Sequence, residues 1–148
     1  NVHGVVGLAK ALELATQELG SDPEFIAVLR DRLEAGIRER IPDVQFNGHP
    51  ERRLPNILNV SFVDVEGESL LLALDTQGIA VSTGSACSAG STDPSHVLMA
   101  MGVQRELAEG SLRLSLGREN DEAQIDYVLD ALVEVVARLR EISPLGKV

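Results

Sequence analysis

Two stretches of the sequence, Ile57-Leu-Asn-Val-Ser-Phe-Val63 and Leu112-Arg-Leu-Ser-Leu116, decide the fold, because apolar and other residues alternate along both. A period of two is typical of a β-strand that buries only one of its faces. In the second stretch the three leucines share one face, so Arg113 points to the opposite face, away from the core. Both stretches are predicted to be strands of a small sheet.

Apolar residues recur at helical spacing on both sides of these strands. The centre of one helix, Leu70-Leu-Leu-Ala-Leu74, is almost wholly apolar, which predicts burial on more than one side. The predicted class is α+β, with a sheet of three or four strands covered by helices. The predicted helices are residues 2–19, a segment from Ser21-Asp-Pro-Glu24 to Ile41, residues 66–74, residues 95–101 and a last helix capped by Glu119-Asn-Asp-Glu122; residues 79–81 are a further predicted strand.

Composition excludes several classes of function. The chain has 148 residues, the size of one ordinary domain, and a formal net charge of −10. This charge argues against nucleic acid and anionic membranes as partners, because both select clustered Lys and Arg. A single cysteine excludes an internal disulfide framework and a cysteine-rich zinc site. The three histidines have no metal-ligand spacing and are expected at the surface or in packing: His3, His49 and His96.

The single cysteine lies in the run Val81-Ser-Thr-Gly-Ser-Ala-Cys87-Ser-Ala-Gly-Ser91, which holds only small or hydroxylic residues after Val81. Glycine and small residues permit wide backbone freedom, which predicts a mobile loop that presents a reactive sulfur. A serine- and glycine-rich loop can also carry one cysteine by chance. The residues alone leave both interpretations open.

Five segments of the sequence together resemble the C-terminal part of a cysteine desulfurase, of the group that serves iron–sulfur cluster assembly and nitrogen fixation. The resemblance covers essentially the whole chain, and the five segments occur in the order found in that family. They are Leu54-Pro-Asn-Ile-Leu-Asn-Val-Ser-Phe62, Val65-Glu-Gly-Glu-Ser-Leu70, Gly84-Ser-Ala-Cys87, Pro94-Ser-His-Val-Leu98 and Arg113-Leu-Ser-Leu-Gly-Arg118.

The resemblance implies a fold-type-I enzyme dependent on pyridoxal 5′-phosphate (PLP) that converts L-cysteine to L-alanine. It implies that Cys87 holds the released sulfur as a persulfide and that Arg113 binds the substrate carboxylate. A planar guanidinium suits this role because it can bind both carboxylate oxygens at once. Without the resemblance, Arg113 would be interpreted as a solvated strand arginine. Arg118 and Asn56 also match the motifs, and both are interpreted as structural. Glu66 and Glu68 are interpreted as the start of a helix.

The PLP-anchoring lysine of that family, in a Ser/Gly-His-Lys context, has no counterpart here. The two lysines, Lys10 and Lys147, lie in other contexts. We therefore expect no cofactor site in this chain, with residues 1–20 matching the end of the large PLP domain and residues 21–148 forming the small domain. The chain also lacks an initiator Met, so we expect a piece of a longer polypeptide that is inactive alone.

The resemblance further implies a cytoplasmic homodimer when full-length, with L-cysteine as substrate and a sulfur-acceptor or scaffold protein as partner. The alternative is a stand-alone sulfur carrier or interaction module that uses Cys87 without a cofactor.

Overall fold

A three-stranded antiparallel sheet organises the chain in a computed structural model, which describes residues 1–18, 22–83 and 94–143. The strands lie in chain order across the sheet, and helices pack on one face. The predicted α+β class is confirmed. The elements are α1 (Val2–Glu18), α2 (Asp22–Arg40), β1 (Val44–Phe46), β2 (Ile57–Phe62), α3 (Gly67–Asp75), α4 (His96–Ala100), α5 (Arg105–Glu109), β3 (Ser111–Ser115) and α6 (Glu122–Ile142).

The register of β2 on β3 separates two chemically different faces. Leu58 is paired with Leu114 and Val60 with Leu112, and all four side chains are buried. Asn59 is paired with Arg113, and this pair projects to the opposite side because successive strand residues alternate. The leucine face was predicted from the alternation in β3, and the structure confirms it.

Three helices, α2, α3 and α6, cover the apolar face of the sheet. Full burial of a leucine contributes about 1.5–3 kcal/mol, whereas an exposed ion pair contributes roughly 0–1 kcal/mol, so this core dominates stability. Exposed ion pairs nevertheless join α2 to α6, with Arg32 bound to Asp126 at 2.9 Å. Helix residues buried in the core include Leu29, Leu33 and Ile37 of α2, Leu70 and Leu74 of α3, and Ile125, Leu129, Leu132, Val135 and Val136 of α6.

Helix α1 differs from the other long helices because every residue from 1 to 17 is exposed. Val5, Leu8 and Leu12 recur at helical spacing along it, with 68%, 72% and 66% of their surfaces exposed. A helix with such a stripe ordinarily buries it against a partner. None of the helices in the described ranges is long and apolar enough to cross a bilayer.

Several predicted boundaries and burials are wrong. Residues 79–81 do not form a strand, and the described part of this segment pairs only through a single bridge at Ser82. The reason is that residues 79–81 line a cleft together with the end of β3 instead of pairing with it. Burial of the third helix on several sides is also wrong, since Leu72 is 57% exposed on its outer side. The last helix begins at Glu122, with the Asp121 carboxylate accepting a hydrogen bond from the Gln124 amide.

Two short elements were not predicted from the sequence. Strand β1 has only three residues, and helix α5 has five. Neither is long enough to display a clear period. Both are stabilised by tertiary contact, β1 through pairing with β2 and α5 through packing beside the same strand.

A close backbone approach at Gly110 joins α5 to the sheet. A Cβ atom at this position would lie 2.5 Å from the carbonyl oxygen of Phe62 and 2.6 Å from that of Val65. Backbone atoms cannot move aside as a flexible side chain can, so glycine is required by the space available.

We predict that Gly110→Ala destabilises the protein by about 1–3 kcal/mol, the usual cost of overpacking. Gly117→Ala is the matched control, because nothing lies within 4 Å of a Cβ there. Urea denaturation should show a lower midpoint for Gly110→Ala and no loss for Gly117→Ala. Equal midpoints for the two variants would contradict the close approach.

Candidate functional site

The face of the sheet that carries no core leucines is polar. Helix α5 contacts β2, and Ser111 at that end donates to the Ala108 carbonyl at 2.8 Å. Ser61 and Ser111 are buried there, whereas the face is partly open around Arg113. Register places on this face Gln45 of β1, Asn47 just after it, Asn59 and Ser61 of β2, Ser111 and Arg113 of β3, and Ser82.

Arg113 is held by backbone hydrogen bonds to Ser82. Its amide donates to the Ser82 carbonyl at 2.7 Å, and its carbonyl accepts from the Ser82 amide at 3.2 Å. Its other edge faces Asn59 of β2. The half-buried guanidinium has no hydrogen-bond or ion-pair partner among the described residues. A fixed backbone and a guanidinium without a partner in the described ranges make Arg113 a candidate site for an anion.

The same residue that holds Arg113 begins the cysteine segment. Ser82 and Thr83 form one end of that segment, and Pro94 and the buried Ser95 form the other. Cys87 and the predicted mobile loop lie outside the described residues. Cys87 follows Ser82 by five positions in the sequence, so the chain limits the distance between their Cα atoms to about 18 Å.

Hydrogen-bonded amides run across the polar face towards Arg113. Gln45 donates from Nε2 to Oδ1 of Asn47 at 3.0 Å. Asn47 in turn donates from Nδ2 to Oδ1 of Asn59 at 2.7 Å and to Oγ of Ser61 at 2.9 Å. The side-chain amide of Asn47 therefore accepts from Gln45 through its oxygen and donates to β2 through its nitrogen.

A cleft of about 420 Å³ lies on the other side of the sheet. Its walls are the segment from Gly78 to Val81, the end of β3 and the start of α6. The lining is mainly apolar, and Arg113 is not part of it; its polar members are Ser115, Asn120, Gln124 and Tyr127. We therefore place the candidate site on the polar face and not in this cleft.

The other residues singled out in the sequence occupy structural positions. Glu66 is the residue before α3 and accepts a hydrogen bond from the Ser69 hydroxyl, as expected for a helix start. The Asn56 carbonyl accepts from the Leu116 amide in the turn before β2. Arg118 is exposed.

The histidines and Lys10 are surface residues. All three histidines are exposed, and His49 accepts hydrogen bonds from the amides of Glu51 and Arg52. Within the described ranges, no cluster of three or more His, Cys, Asp or Glu residues is able to hold a metal ion. Lys10 pairs with Glu13 on α1.

Comparison with known proteins shows the family. The aminotransferase class-V family profile matches residues 1–128, so the chain belongs to that family. Within it, the similarity is to cysteine desulfurases and NifS-like proteins. A curated relative, cysteine desulfurase IscS of Clostridium botulinum, is 53% identical over 147 residues, which is 98% of this chain and 37% of the relative.

Two solved structures support the same assignment. A NifS-like protein is 36% identical with a TM-score of 0.81, and covers 93% of this chain and 34% of its own. A NifS-like protein from Rickettsia africae is 28% identical with a TM-score of 0.82, and the match covers 93% of this chain and 35% of that protein. The resemblance found in the motifs is confirmed, and the chain spans little more than a third of the length of these relatives.

We predict that Ser82→Pro destabilises the protein by about 1–3 kcal/mol, because it removes the amide donor and leaves the Arg113 carbonyl unsatisfied. Ser82→Ala is the control, since its hydroxyl makes only a 3.5 Å contact with the Thr83 carbonyl. Urea denaturation measures both variants. A Ser82→Pro variant as stable as Ser82→Ala would mean that the bridge does not hold Arg113.

Proposed function

We propose that the full-length protein is a PLP-dependent cysteine desulfurase that converts L-cysteine to L-alanine and passes the sulfur to an acceptor for iron–sulfur cluster assembly. This chain supplies Arg113 for the substrate carboxylate and Cys87 for the sulfur. The observation that carries the proposal is the bridge between Arg113 and Ser82, because it ties the anion-binding side chain to the beginning of the cysteine segment.

Arg113 suits the carboxylate of an amino acid. Its planar fork can donate two parallel hydrogen bonds to the two oxygens. The polar face offers it no competing carboxylate among its described members, and its backbone lies between β2 on one edge and Ser82 on the other. A substrate held there by its carboxylate has a defined orientation, so its sulfur is presented in a reproducible position.

Cys87 receives the sulfur in this proposal. The thiolate forms a new S–S bond with the substrate sulfur, the Cβ–S bond breaks, and the carbon fragment takes up a proton to become alanine. Cysteine and one enzyme thiol are thus converted to alanine and one persulfide, with no external oxidant. Small residues around Cys87 permit the reach that collection and delivery both need.

We propose that PLP is held by residues outside this chain. Lysine is the usual anchor of this cofactor, and Lys10 is exposed on α1 and paired with Glu13. In our proposal the cofactor belongs to the part of the full-length protein that corresponds to the remaining length of the relatives. The roles given to this chain are therefore substrate binding and sulfur transfer.

We place a domain boundary near residue 20. Residues 1–20 then belong with the large domain, and residues 21–148 form the small domain. The exposed apolar stripe of α1 supports this division, because a longer relative has further chain against which it can pack. Burial of several leucine and valine side chains there would contribute about 1.5–3 kcal/mol each.

Homodimerisation, an acceptor or scaffold protein and a cytoplasmic location complete the proposal, and they come from the family resemblance. A single cysteine used as a free thiol is consistent with a reducing compartment. The alternative of a cofactor-free sulfur carrier assigns no role to an arginine held on the polar face without a described partner. We therefore favour the enzyme.

We predict that Arg113→Lys in the full-length protein lowers kcat/KM for L-cysteine about ten- to hundredfold, because a point charge does not reproduce a bidentate fork. The melting temperature should change little, since Arg113 lies off the leucine face. The rate of alanine release gives kcat/KM, and a thermal melt gives the melting temperature.

Arg138→Lys makes the same change at an exposed position of α6 and is the control. Its kinetics should match the wild type. Unchanged kinetics in Arg113→Lys would remove Arg113 from the substrate site. A large fall in its melting temperature would make it a structural residue, and wild-type protein that releases no alanine would overturn the proposed function.

A further inference from the structure

We propose that Asn59 is a second carboxylate-binding residue, which donates its side-chain amide to the substrate beside Arg113. This inference rests on the proposed function, because it names another contact for the same substrate. It is carried by two features of the polar face: the pairing of Asn59 with Arg113, and the direction of the amide hydrogen bonds that end at Asn59.

Asn59 and Arg113 stand side by side. Both hydrogen-bonding groups of the Arg113 backbone are used by Ser82, so its pairing with Asn59 is of the non-hydrogen-bonded kind. Residues in such pairs are the closest in an antiparallel sheet, with Cα atoms about 4.5 Å apart and side chains on the same face. Both side chains are half-buried.

The neighbouring amides orient the side chain of Asn59. Gln45 donates to the oxygen of Asn47, which leaves the Asn47 nitrogen to donate to Asn59. The oxygen of Asn59 is therefore an acceptor that faces the β1 side. Its Nδ2 lies at the other edge of a planar group and donates to no described residue. Two N–H groups are thus left for a ligand next to Arg113.

The ligand chemistry follows from these donors. A guanidinium and an amide nitrogen offer N–H groups and no acceptor, which selects an anion with several lone pairs. An ionised carboxylate has about four such sites and can use the arginine fork and the asparagine together. Asn59 thus adds to Arg113 a neutral donor whose orientation is set by its neighbours.

The test uses the PLP-loaded full-length protein and two ligands. L-Alanine carries the carboxylate, whereas cysteamine carries the amine and thiol without it. Asn59→Asp should weaken L-alanine binding about tenfold or more, because it replaces the donor with a negative charge. Cysteamine binding should stay within about twofold of the wild type, since it makes no such contact. Titration of the cofactor absorbance gives both dissociation constants.

Two further variants keep the test decisive. Asn59→Ala removes the donor without adding charge. It should also weaken the binding of L-alanine and not of cysteamine, by a smaller factor than Asn59→Asp does. This variant provides the test if Asn59→Asp does not fold. Gln104→Glu makes the same amide-to-acid change at an exposed position before α5, and should bind both ligands as the wild type does.

The outcomes separate this inference from the proposed function. Equal weakening for both ligands would make Asn59 a structural residue and overturn the inference. No change for either ligand would overturn it as well. If in either case the wild type still releases alanine from L-cysteine, the proposed function stands. Wild-type protein that releases none overturns both.

Discussion

The pairing of β2 with β3 is the constraint on which both the core and the candidate site depend. One face of this pair holds Leu58, Val60, Leu112 and Leu114, and the other holds Asn59 and Arg113. A slip of one residue would bury the arginine among leucines and expose the leucines to water. Because several fully buried leucines outweigh any single polar contact, the core sets the register. The position of Arg113 is thus a consequence of packing on the opposite side of the sheet.

The side chains of the polar face are ordered by hydrogen bonds to one another. Asn47 links β1 to β2 through Asn59 and Ser61, and Ser82 closes the row beside Arg113. These contacts immobilise small polar side chains around one arginine, so a ligand carboxylate meets donors that are already oriented. Such preorganisation reduces the conformational entropy lost on binding.

The long periodic elements and the orientation of Arg113 could be predicted from the sequence, because alternation and helical spacing are local signals. Strand β1 and helix α5 could not, since each is too short to show a period and is stabilised by β2. The run of apolar residues in α3 predicts burial of Leu72, yet only one side of this helix contacts the core. The role proposed for Asn59 could not be predicted either. An asparagine among the apolar residues of a strand is visible in the sequence. It indicates a ligand contact only when its pairing with Arg113 is known.

The most direct test of the central claim is mass spectrometry of the Cys87 peptide after one turnover of the full-length protein with L-cysteine. If Cys87 receives the sulfur, that peptide gains one sulfur atom for each alanine released. Removal of the added mass by a thiol reductant would identify it as a persulfide. Alanine released without sulfur on Cys87, or sulfur found on another residue, would contradict the account.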